Sequence, residues 1–272
     1  YKSEKLDLDN PEVYRDLSKP LGTFSKDRLE HLKERIVGIK KFDPDSYYLY
    51  GALYSSAAVV IGYLIRMEPF TSLHVVLQSQ RFDIADRLFN DIPRSWDSVT
   101  GASMDFRELI PEFFYLPDFL INENKFDLGI ETSSKVPVGD VVLPKWATSA
   151  IDFVTKNRMA LESKYVTKNL HNWIDLIFGP KSRGDLSIAN DNLFHPYFFE
   201  DSLVGREGKM FNVVREFAAC FGEACLQIFD SEPPQKVVIE PKFTEAFFSL
   251  KHSATKALPK RVMAIKASHV WM

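Results

Sequence analysis

The chain has 272 residues, of which 45% are hydrophobic and 13% aromatic, so it can bury a sizeable core and does not have the composition of a disordered protein. Its 34 basic and 37 acidic side chains leave a net charge of −3, which gives no global attraction to nucleic acid or to an anionic membrane. No apolar run approaches the ~20 residues that a membrane-spanning helix needs. With no signal peptide before Tyr1 and no Asn-x-Ser/Thr site, we expect a cytoplasmic protein.

The two cysteines, Cys220 and Cys225, are too few for a disulfide framework in a chain of this size. Their spacing is not that of a Cys-x-x-Cys motif, and no histidine spacing completes a metal site with them. We therefore expect two reduced, buried thiols. The sequence predicts no metal and no cofactor.

Two helices are predicted in the first quarter of the chain. Ser25 can cap a helix from Lys26 to about Val37, whose apolar side chains recur on one face while its charges line the other. A second helix is predicted from Ala52 to Met67, before Pro69. It is apolar nearly all round, so we expect it to be buried on most sides.

Residues 70–77 leave two alternatives open, a strand or a short helix. Thr71, Val75 and Val76 are β-branched and favour a strand. His74 is a lone histidine among apolar neighbours. We interpret it as a hydrogen-bonded residue in the core or at its boundary.

Four charges of alternating sign follow at Arg81, Asp83, Asp86 and Arg87. We predict that they pair with one another and pin a turn into a helix running from Ile84 to about Val99. Two carboxylates this close could do acid–base or metal chemistry. Two nearby arginines, however, would lower the pKa of both carboxyls and keep them ionised, which favours a structural role.

The segment from Arg107 to Gly129 is the one around which the rest of the chain is expected to pack. Pro111 and Pro117 each remove a backbone donor, so no long helix can run through it, yet it is too apolar for a solvated loop. We predict an extended, irregular segment buried in the core. Its backbone groups then need partners outside a regular ladder. The neighbouring carboxylates and amides could supply some of them: Glu108, Glu112, Asp118, Asn122, Asn124 and Asp127.

Two further helices are predicted after an extended arm over residues 139–146, whose Trp146 should dock on the core. The helices run from Ala150 to about Leu161 and from Ser163 to Phe178. His171 and Asp175 are spaced to share one face of the second helix, the best metal-like or acid–base-like geometry in the sequence. No third ligand is evident, so we favour a His–Asp hydrogen bond that steadies the helix.

The last third of the chain reads as an irregular region over residues 179–204 and a helix from Met210 to about Cys220. Residues 251–266 then carry five basic side chains with apolar residues between them. They could form a linker or a weak binding surface for an anionic membrane.

No catalytic motif is present. The sequence lacks a GxSxG nucleophile elbow, a Walker A loop, a GxGxxG dinucleotide motif and an HExxH zinc motif. Glu108 and Glu112 are four residues apart, but Pro111 interrupts any helix that would place both on one face. No basic and aromatic surface indicates nucleic-acid binding.

The segment 107–129, RELIPEFFYLPDFLINENKFDLG, closely resembles the BEACH domain, the module named for the beige and Chediak-Higashi proteins. The resemblance covers roughly residues 1–234. In this family a segment with a Tyr-Pro-Val-Phe-Pro-Trp-like run normally precedes the RDLSKPLG run of residues 15–22 and fills part of the core, and we do not find that run here. Five further runs carry the resemblance: Arg15–Gly22, Tyr50–Gln78, Arg81–Phe89, Gly139–Ala147 and Arg158–Gly179.

The resemblance implies a mainly α fold, a single multihelical BEACH domain with extended, non-regular segments in its core. It favours a short helix for residues 70–77. It implies a domain over residues 1–240 and, over 241–272, an extension towards a WD-repeat propeller outside the chain. The structural residues of the family's motifs fall at Glu108, Pro111, Glu112, Asn124, His171, Trp173 and Asp175.

Two functional hypotheses follow. The first is a non-catalytic scaffold of vesicle traffic and membrane dynamics, cytoplasmic or peripheral on vesicle membranes such as those of endosomes, lysosomes or autophagy. In the family, a pleckstrin-homology-like domain just upstream packs against the module, and its candidate contacts here are Arg66, Glu68, Arg81, Asp83 and Arg87. The second is a hydrolase-type enzyme that uses Asp83 with Asp86, or His171 with Asp175.

Overall fold

Capping side chains set where the helices of this computed structural model begin. It describes residues 1–41, 47–101, 104–205 and 207–237. The helices are α1 (Lys26–Ile39), α2 (Ala57–Tyr63), α3 (Phe70–Leu77), α4 (Ile92–Thr100), α5 (Ala150–Leu161), α6 (Lys164–Phe178), α7 (Gly184–Ala189) and α8 (Gly208–Phe221). Ser25, Ser149 and Ser163 each accept a hydrogen bond from a first-turn amide, so α1, α5 and α6 begin where the sequence predicts.

The predicted mainly α fold is confirmed. Within the described residues only isolated bridges occur in place of a sheet, joining Tyr50 to Phe194, Asp91 to Val142 and Ile130 to Pro137. Tyr1–Lys236 form one compact unit, and a second unit begins at Val237. The expected extension over residues 241–272, with its basic stretch, lies outside the described residues and stays a prediction.

Two predicted helices are shorter than expected. The helix predicted over residues 52–67 is reduced to α2, because the Ser56 hydroxyl caps it at the amide of Val59. Within the predicted range only Leu53 and residues 63–66 are buried, so the expected burial holds for the C-terminal part of the range and not for α2 before Tyr63.

The helix predicted over residues 84–99 begins only at Ile92. Asp91 caps it and Pro93 lies in its first turn, where the missing backbone donor costs nothing. Before it, Ala85–Arg87 form a single 3-10 turn.

Residues 70–77 form a helix, as the family resemblance predicts. Their β-branched composition had favoured a strand. Pro69 precedes the first turn, and the Glu68 carboxylate accepts hydrogen bonds from the amide and the hydroxyl of Ser72. Helical periodicity turns Thr71 and His74 inwards. Tertiary context and capping therefore outweigh strand propensity here.

The central segment is buried and irregular, as predicted. Pro111–Phe114 and Pro117–Leu120 form two short 3-10 turns joined and flanked by extended residues. Phe113 and Phe119 pack edge to face at 4.9 Å and belong to the main core with Tyr63 and Phe153. Trp146 docks on the same core, stacked on Phe153.

Arginine and asparagine side chains donate to several buried carbonyls of this irregular core. Arg66 donates to Phe89 O and Gly139 O, and Arg28 donates to Val99 O, Gly101 O and Asp105 O. Asn157 donates to Phe113 O. The sequence expectation is confirmed for Asn122, which bonds both the amide and the carbonyl of Phe126, and for Asp127, which accepts from the amide of Gly129.

Candidate functional site

Helix α3 turns an apolar stripe towards solvent. Leu73, Val76 and Leu77 are 45%, 61% and 53% exposed, and Ile84 in the following segment is 55% exposed. Residues at these spacings lie on one face of a helix. We call these four residues, with the charged residues Glu68, Arg81, Asp83, Asp86 and Arg87 beside them, the α3 surface.

The chain after α3 is folded back against it by local hydrogen bonds. The amide of Gln80 donates to Val75 O at 2.8 Å, and Ser79 and Gln80 have φ of 60° and 68°. Phe82 stacks on His74, and the amide of Asp83 donates to His74 Nε2 at 3.4 Å. Residues 79–84 therefore border the exposed stripe.

His74 is a hydrogen-bonded histidine of the core boundary, as expected. Burial lowers its pKa, and the nearby Asp83 opposes that shift. A lowered pKa keeps the imidazole neutral at pH 7, which is the form whose Nε2 can accept the Asp83 amide proton.

Each of the three carboxylates of the α3 surface accepts hydrogen bonds from other residues of the chain. Glu68 caps α3 through Ser72. Asp83 accepts from the amide of Ile84 at 2.8 Å and lies 3.6 Å from Arg87. Asp86 accepts from the amide and hydroxyl of Thr132, at 3.0 and 2.7 Å.

Arg81 differs from these charges. It is exposed, and in the described part of the chain no hydrogen bond or ion pair engages its guanidinium. The predicted pairing within this cluster is therefore limited to Asp83 with Arg87. The expected cause of the low carboxyl pKa is also corrected: hydrogen bonds from Thr132, rather than arginines, lower the pKa of Asp86.

Arg66 does not belong to a partner surface, although the sequence placed it among the candidate contacts. Its side chain is 1% exposed and donates to two backbone carbonyls, while its own carbonyl accepts from Asn124 Nδ2. Burial lowers its pKa to about 10. Arg66 and Asn124 thus stabilise the interior of the domain through these hydrogen bonds.

Glu108 joins three other parts of the chain through its carboxylate and its backbone amide. It lies 2.9 Å from the guanidinium of Arg15 and accepts from Trp173 Nε1 at 3.3 Å, while the Glu108 amide donates to Tyr54 O. Glu112, four residues on, instead accepts from the exposed Tyr115 hydroxyl at the end of the 3-10 turn that Pro111 opens. The two glutamates therefore have separate structural partners.

The predicted hydrogen bond between His171 and Asp175 is absent from the described contacts. Asp175 is 1% exposed and pairs instead with Lys181, whose ammonium lies 2.8 Å away and whose amide also donates to it. The hydrogen bond between the Lys181 ammonium and the Asp175 carboxylate raises the pKa of Lys181. His171 Nδ1 is buried with no hydrogen-bond partner. Sequence spacing could not reveal Lys181, because it lies in the next turn of chain after α6 ends.

Both cysteine thiols are free, and both are exposed rather than buried as expected. Cys220 lies on the outer side of the last turn of α8, and Cys225 lies in the extended residues that follow. Within α8, Val214 is buried in the core.

A cavity of about 810 Å³ lies under residues 1–24, which we call the N-terminal segment. Apolar and aromatic side chains line it, among them Leu17 of that segment and Trp96, Phe113 and Trp173 of the body. None of Asp83, Asp86, His171 and Asp175 borders it. The residue pairs of the enzyme hypothesis therefore do not converge in this cavity.

Among the described residues, no group of three or more histidine, cysteine or acidic side chains is arranged to hold a metal ion. The helices that the structure describes are also too short and too polar to cross a bilayer.

Comparison with known proteins adds a family and several relatives. The model of the Beige/BEACH domain matches residues 1–236. Beige protein homolog 1 of Schizosaccharomyces pombe is 42% identical over 259 residues, which is 90% of this chain and 10% of that protein. BEACH domain-containing protein B of Arabidopsis thaliana is 41% identical over 240 residues, 87% of this chain and 9% of that protein.

A relative from mouse, WD repeat- and FYVE domain-containing protein 4, is 41% identical over 246 residues, 87% of this chain and 8% of its own length. The chain therefore corresponds to about a tenth of the length of these relatives. They support a scaffold-type domain within large proteins.

Proposed function

Because the chain belongs to the Beige/BEACH domain family, whose model matches residues 1–236, we propose that it is a non-catalytic scaffold domain of a much longer intracellular protein. Its role would be to hold partner proteins during vesicle traffic. Attachment to vesicle membranes would then be peripheral and would come through those partners.

The α3 surface is the observation that carries this proposal. Four large aliphatic side chains are each about half exposed on α3 and the segment that follows it. Contiguous apolar patches rimmed by charges mark interaction sites in soluble proteins. The catalytic alternative has less support, because its carboxylates are engaged in local structure.

The partner we propose for this surface is a pleckstrin-homology-like domain upstream in the same protein, as the family resemblance suggests. Glu68, Arg81, Asp83 and Arg87 are the contacts that remain of the original candidate set once Arg66 is assigned to the interior. A partner of this kind would make the domain one half of a binding unit.

Site-specific photo-crosslinking tests the proposal. A benzophenone amino acid replaces Val76 in the full-length protein expressed in cells, and the products formed on irradiation are identified by mass spectrometry. We expect a protein–protein crosslink whose second peptide lies in the segment upstream of this domain.

A benzophenone at Val213 is the matched control, because Val213 is similarly exposed but lies on α8, outside the α3 surface. A crosslink pattern at position 76 that equals the pattern at position 213, or no protein product at position 76, would contradict the proposal.

A further inference from the structure

We propose that Thr132 is a phosphorylation site, and that a phosphate on its hydroxyl detaches the loop of residues 129–138 from the body of the domain. A protein kinase is the enzyme class that acts here, with a nucleoside triphosphate as the phosphate donor. A further effect, weaker partner binding at the α3 surface, rests on the proposed function. Detachment of the loop does not rest on it.

The loop presents its hydroxyl groups at an exposed tip. The amide of Val138 donates to Gly129 O at 2.9 Å, which closes the loop at its base. Residues 132–137 are all exposed, and the first three of them carry hydroxyl groups. Exposed loop tips with small polar residues are the places where enzymes gain access to a folded chain. The tip therefore offers its hydroxyls to a kinase.

One of these three hydroxyls attaches the loop to a different element. The Thr132 hydroxyl donates to the Asp86 carboxylate at 2.7 Å, and the Thr132 amide donates to the same carboxylate at 3.0 Å. The Ser134 hydroxyl donates to Glu131 inside the loop. The Ser133 hydroxyl has no hydrogen bond among the described contacts. Thr132 is therefore the residue whose modification acts beyond the loop.

A phosphate cannot replace the Thr132 hydroxyl in this contact. Phosphorylation removes the proton that the hydroxyl donates and adds a charge of about −1.5 to −2 at pH 7 beside the Asp86 carboxylate. Hydrogen bonds from Thr132 above all lower the pKa of Asp86, so its carboxyl is ionised at that pH. The adjacent Arg87 lies beside Asp83 instead. Like-charge repulsion therefore separates the phosphorylated loop from Asp86.

The loop also shares buried apolar contacts with the chain around Asp86. Leu128 and Val138, at the two ends of the loop, belong to the same buried cluster as Ala85 and Leu88. Asp86 lies between Ala85 and Leu88 in the chain and is itself part of the α3 surface. Because the loop supports this part of the α3 surface, we expect its detachment to weaken partner binding there.

The reaction is a phosphoryl transfer from the Mg²⁺ complex of the nucleoside triphosphate. The Thr132 oxygen forms a bond to the γ-phosphorus while the bond from that phosphorus to the β-phosphate oxygen breaks. The nucleoside diphosphate leaves, and the hydroxyl proton passes to a base of the kinase. The kinase takes the hydroxyl when the exposed loop opens locally, and the phosphate then prevents the loop from closing.

Phosphopeptide mapping tests the assignment of the site. The full-length protein is purified from cells in the presence of a phosphatase inhibitor, and the peptide that spans the loop is analysed by mass spectrometry. We expect a phosphate on Thr132. A peptide that carries no phosphate, or carries it only on Ser133 or Ser134, would overturn the assignment.

Hydrogen exchange of the full-length protein tests the detachment of the loop. Thr132→Glu should speed exchange of the amides of residues 129–138 by about tenfold or more, since it places an anion beside Asp86. Thr132→Val removes only the hydroxyl bond, so it should speed this exchange by about threefold. Asp86→Arg combined with Thr132→Glu should restore slow exchange, because the two charges then attract each other.

Thr148→Glu is the matched control. The Thr148 hydroxyl donates to Asp152 at 3.1 Å, the same kind of contact at an exposed site outside the loop. This variant should leave exchange of residues 129–138 unchanged. Equal exchange of the loop in Thr132→Glu and Thr148→Glu, or no restoration by Asp86→Arg, would overturn the detachment mechanism.

The crosslink from the benzophenone at position 76 separates this inference from the proposed function. Thr132→Glu should lower the yield of that crosslink. An unchanged yield with faster loop exchange would overturn the regulation of the α3 surface and leave the scaffold proposal standing. Absence of the crosslink in the protein with Thr132 intact would overturn the scaffold proposal and the regulation together, whereas the site and the detachment are decided by the mapping and exchange results.

Discussion

In this core, buried guanidinium groups donate hydrogen bonds to backbone carbonyls, which in a sheet are satisfied by neighbouring strands. Arg66 reaches Phe89 O at 2.6 Å and Gly139 O at 2.8 Å, and Arg28 reaches three carbonyls at 2.7 to 3.2 Å. The planar fork of arginine suits this task, because it directs several donors to fixed positions at once.

At the residue scale, Arg66→Lys should destabilise the chain although it conserves the charge. Lysine offers one flexible ammonium in place of the fork, so at least one buried carbonyl loses its donor, at a cost of about 1–3 kcal/mol in the free energy of unfolding. Urea unfolding followed by tryptophan fluorescence measures the loss.

Arg81→Lys is the matched control, because Arg81 is exposed, and it should change the free energy of unfolding by less than about 0.5 kcal/mol. Equal stability of Arg66→Lys and Arg81→Lys would show that the carbonyl contacts of Arg66 contribute nothing.

Helix starts were predictable from the sequence wherever a serine cap precedes an amphipathic run, as for α1, α5 and α6. The predicted starts were wrong for α2 and α4, which begin several residues later than expected, after the caps Ser56 and Asp91. Partners from a different part of the chain could not be predicted. Spacing paired Asp175 with His171, whereas Lys181 is the residue that lies next to it.

The same limit applies to the candidate site. The sequence located its charged residues, but it left open whether Arg66 faces a partner or the core, because spacing alone does not show which way a side chain points. It also gave no sign that Leu73, Val76 and Leu77 face solvent, since an apolar stripe on a helix ordinarily indicates a buried face.

At the element scale, a pH effect is expected from the loop of residues 129–138, which two carboxylates hold to the body. Glu131 accepts from Arg94 and Asn90, and Asp86 accepts from Thr132. Hydrogen bonds, from Arg94 above all for Glu131 and from Thr132 for Asp86, lower the pKa of both carboxyls below the ordinary 4.5 and 3.8. A lowered folded-state pKa stabilises the fold above the ordinary value, and this contribution is lost as pH falls through the folded-state value.

The variant Glu131→Gln with Asp86→Asn should therefore differ in urea midpoint from the unmodified chain by a constant amount above about pH 5, and this difference should shrink below it. The measurement is a series of urea titrations from pH 7 to pH 3. Glu34→Gln, on the exposed face of α1, is the control for general acid effects. A difference that stays constant down to pH 3 would show that neither carboxyl contributes this pH dependence.

On the scale of the whole molecule, the N-terminal segment lies over a large cavity and is joined to the body through side chains, whereas its described backbone hydrogen bonds outside helices stay within the segment. Tyr1 donates to Asn157, Tyr14 stacks on Tyr165 at 4.6 Å, and Arg15 pairs with Glu108. Amides outside a helix or sheet, with only short-range backbone bonds, open at a lower free energy than the amides of packed helices. The segment should therefore exchange its amide hydrogens faster than α5 and α6.

Arg15→Ala should raise exchange in residues 1–24 by about fivefold, the effect of losing roughly 1 kcal/mol of a half-buried ion pair. Exchange in α5 should not change. Hydrogen exchange followed by mass spectrometry measures both regions in one experiment.

Lys19→Ala is the control, since Lys19 pairs with Asp16 inside the same segment and does not reach the body. A uniform rise across residues 1–24 and α5 would mean that Arg15 supports the whole fold rather than the attachment of this segment.

The carbonyl contacts of the buried arginines also determine how late during synthesis the core can close. Arg28 bonds carbonyls that lie 71 to 77 residues further along the chain, and Arg66 bonds Gly139, 73 residues further along. When a ribosome has made residues 1–98, Arg28 has been synthesised but none of the carbonyls that it bonds, and Gly139 follows later still. The irregular core closes only after the residues around Gly139 have emerged, so until then the finished core does not cover the apolar side chains already made.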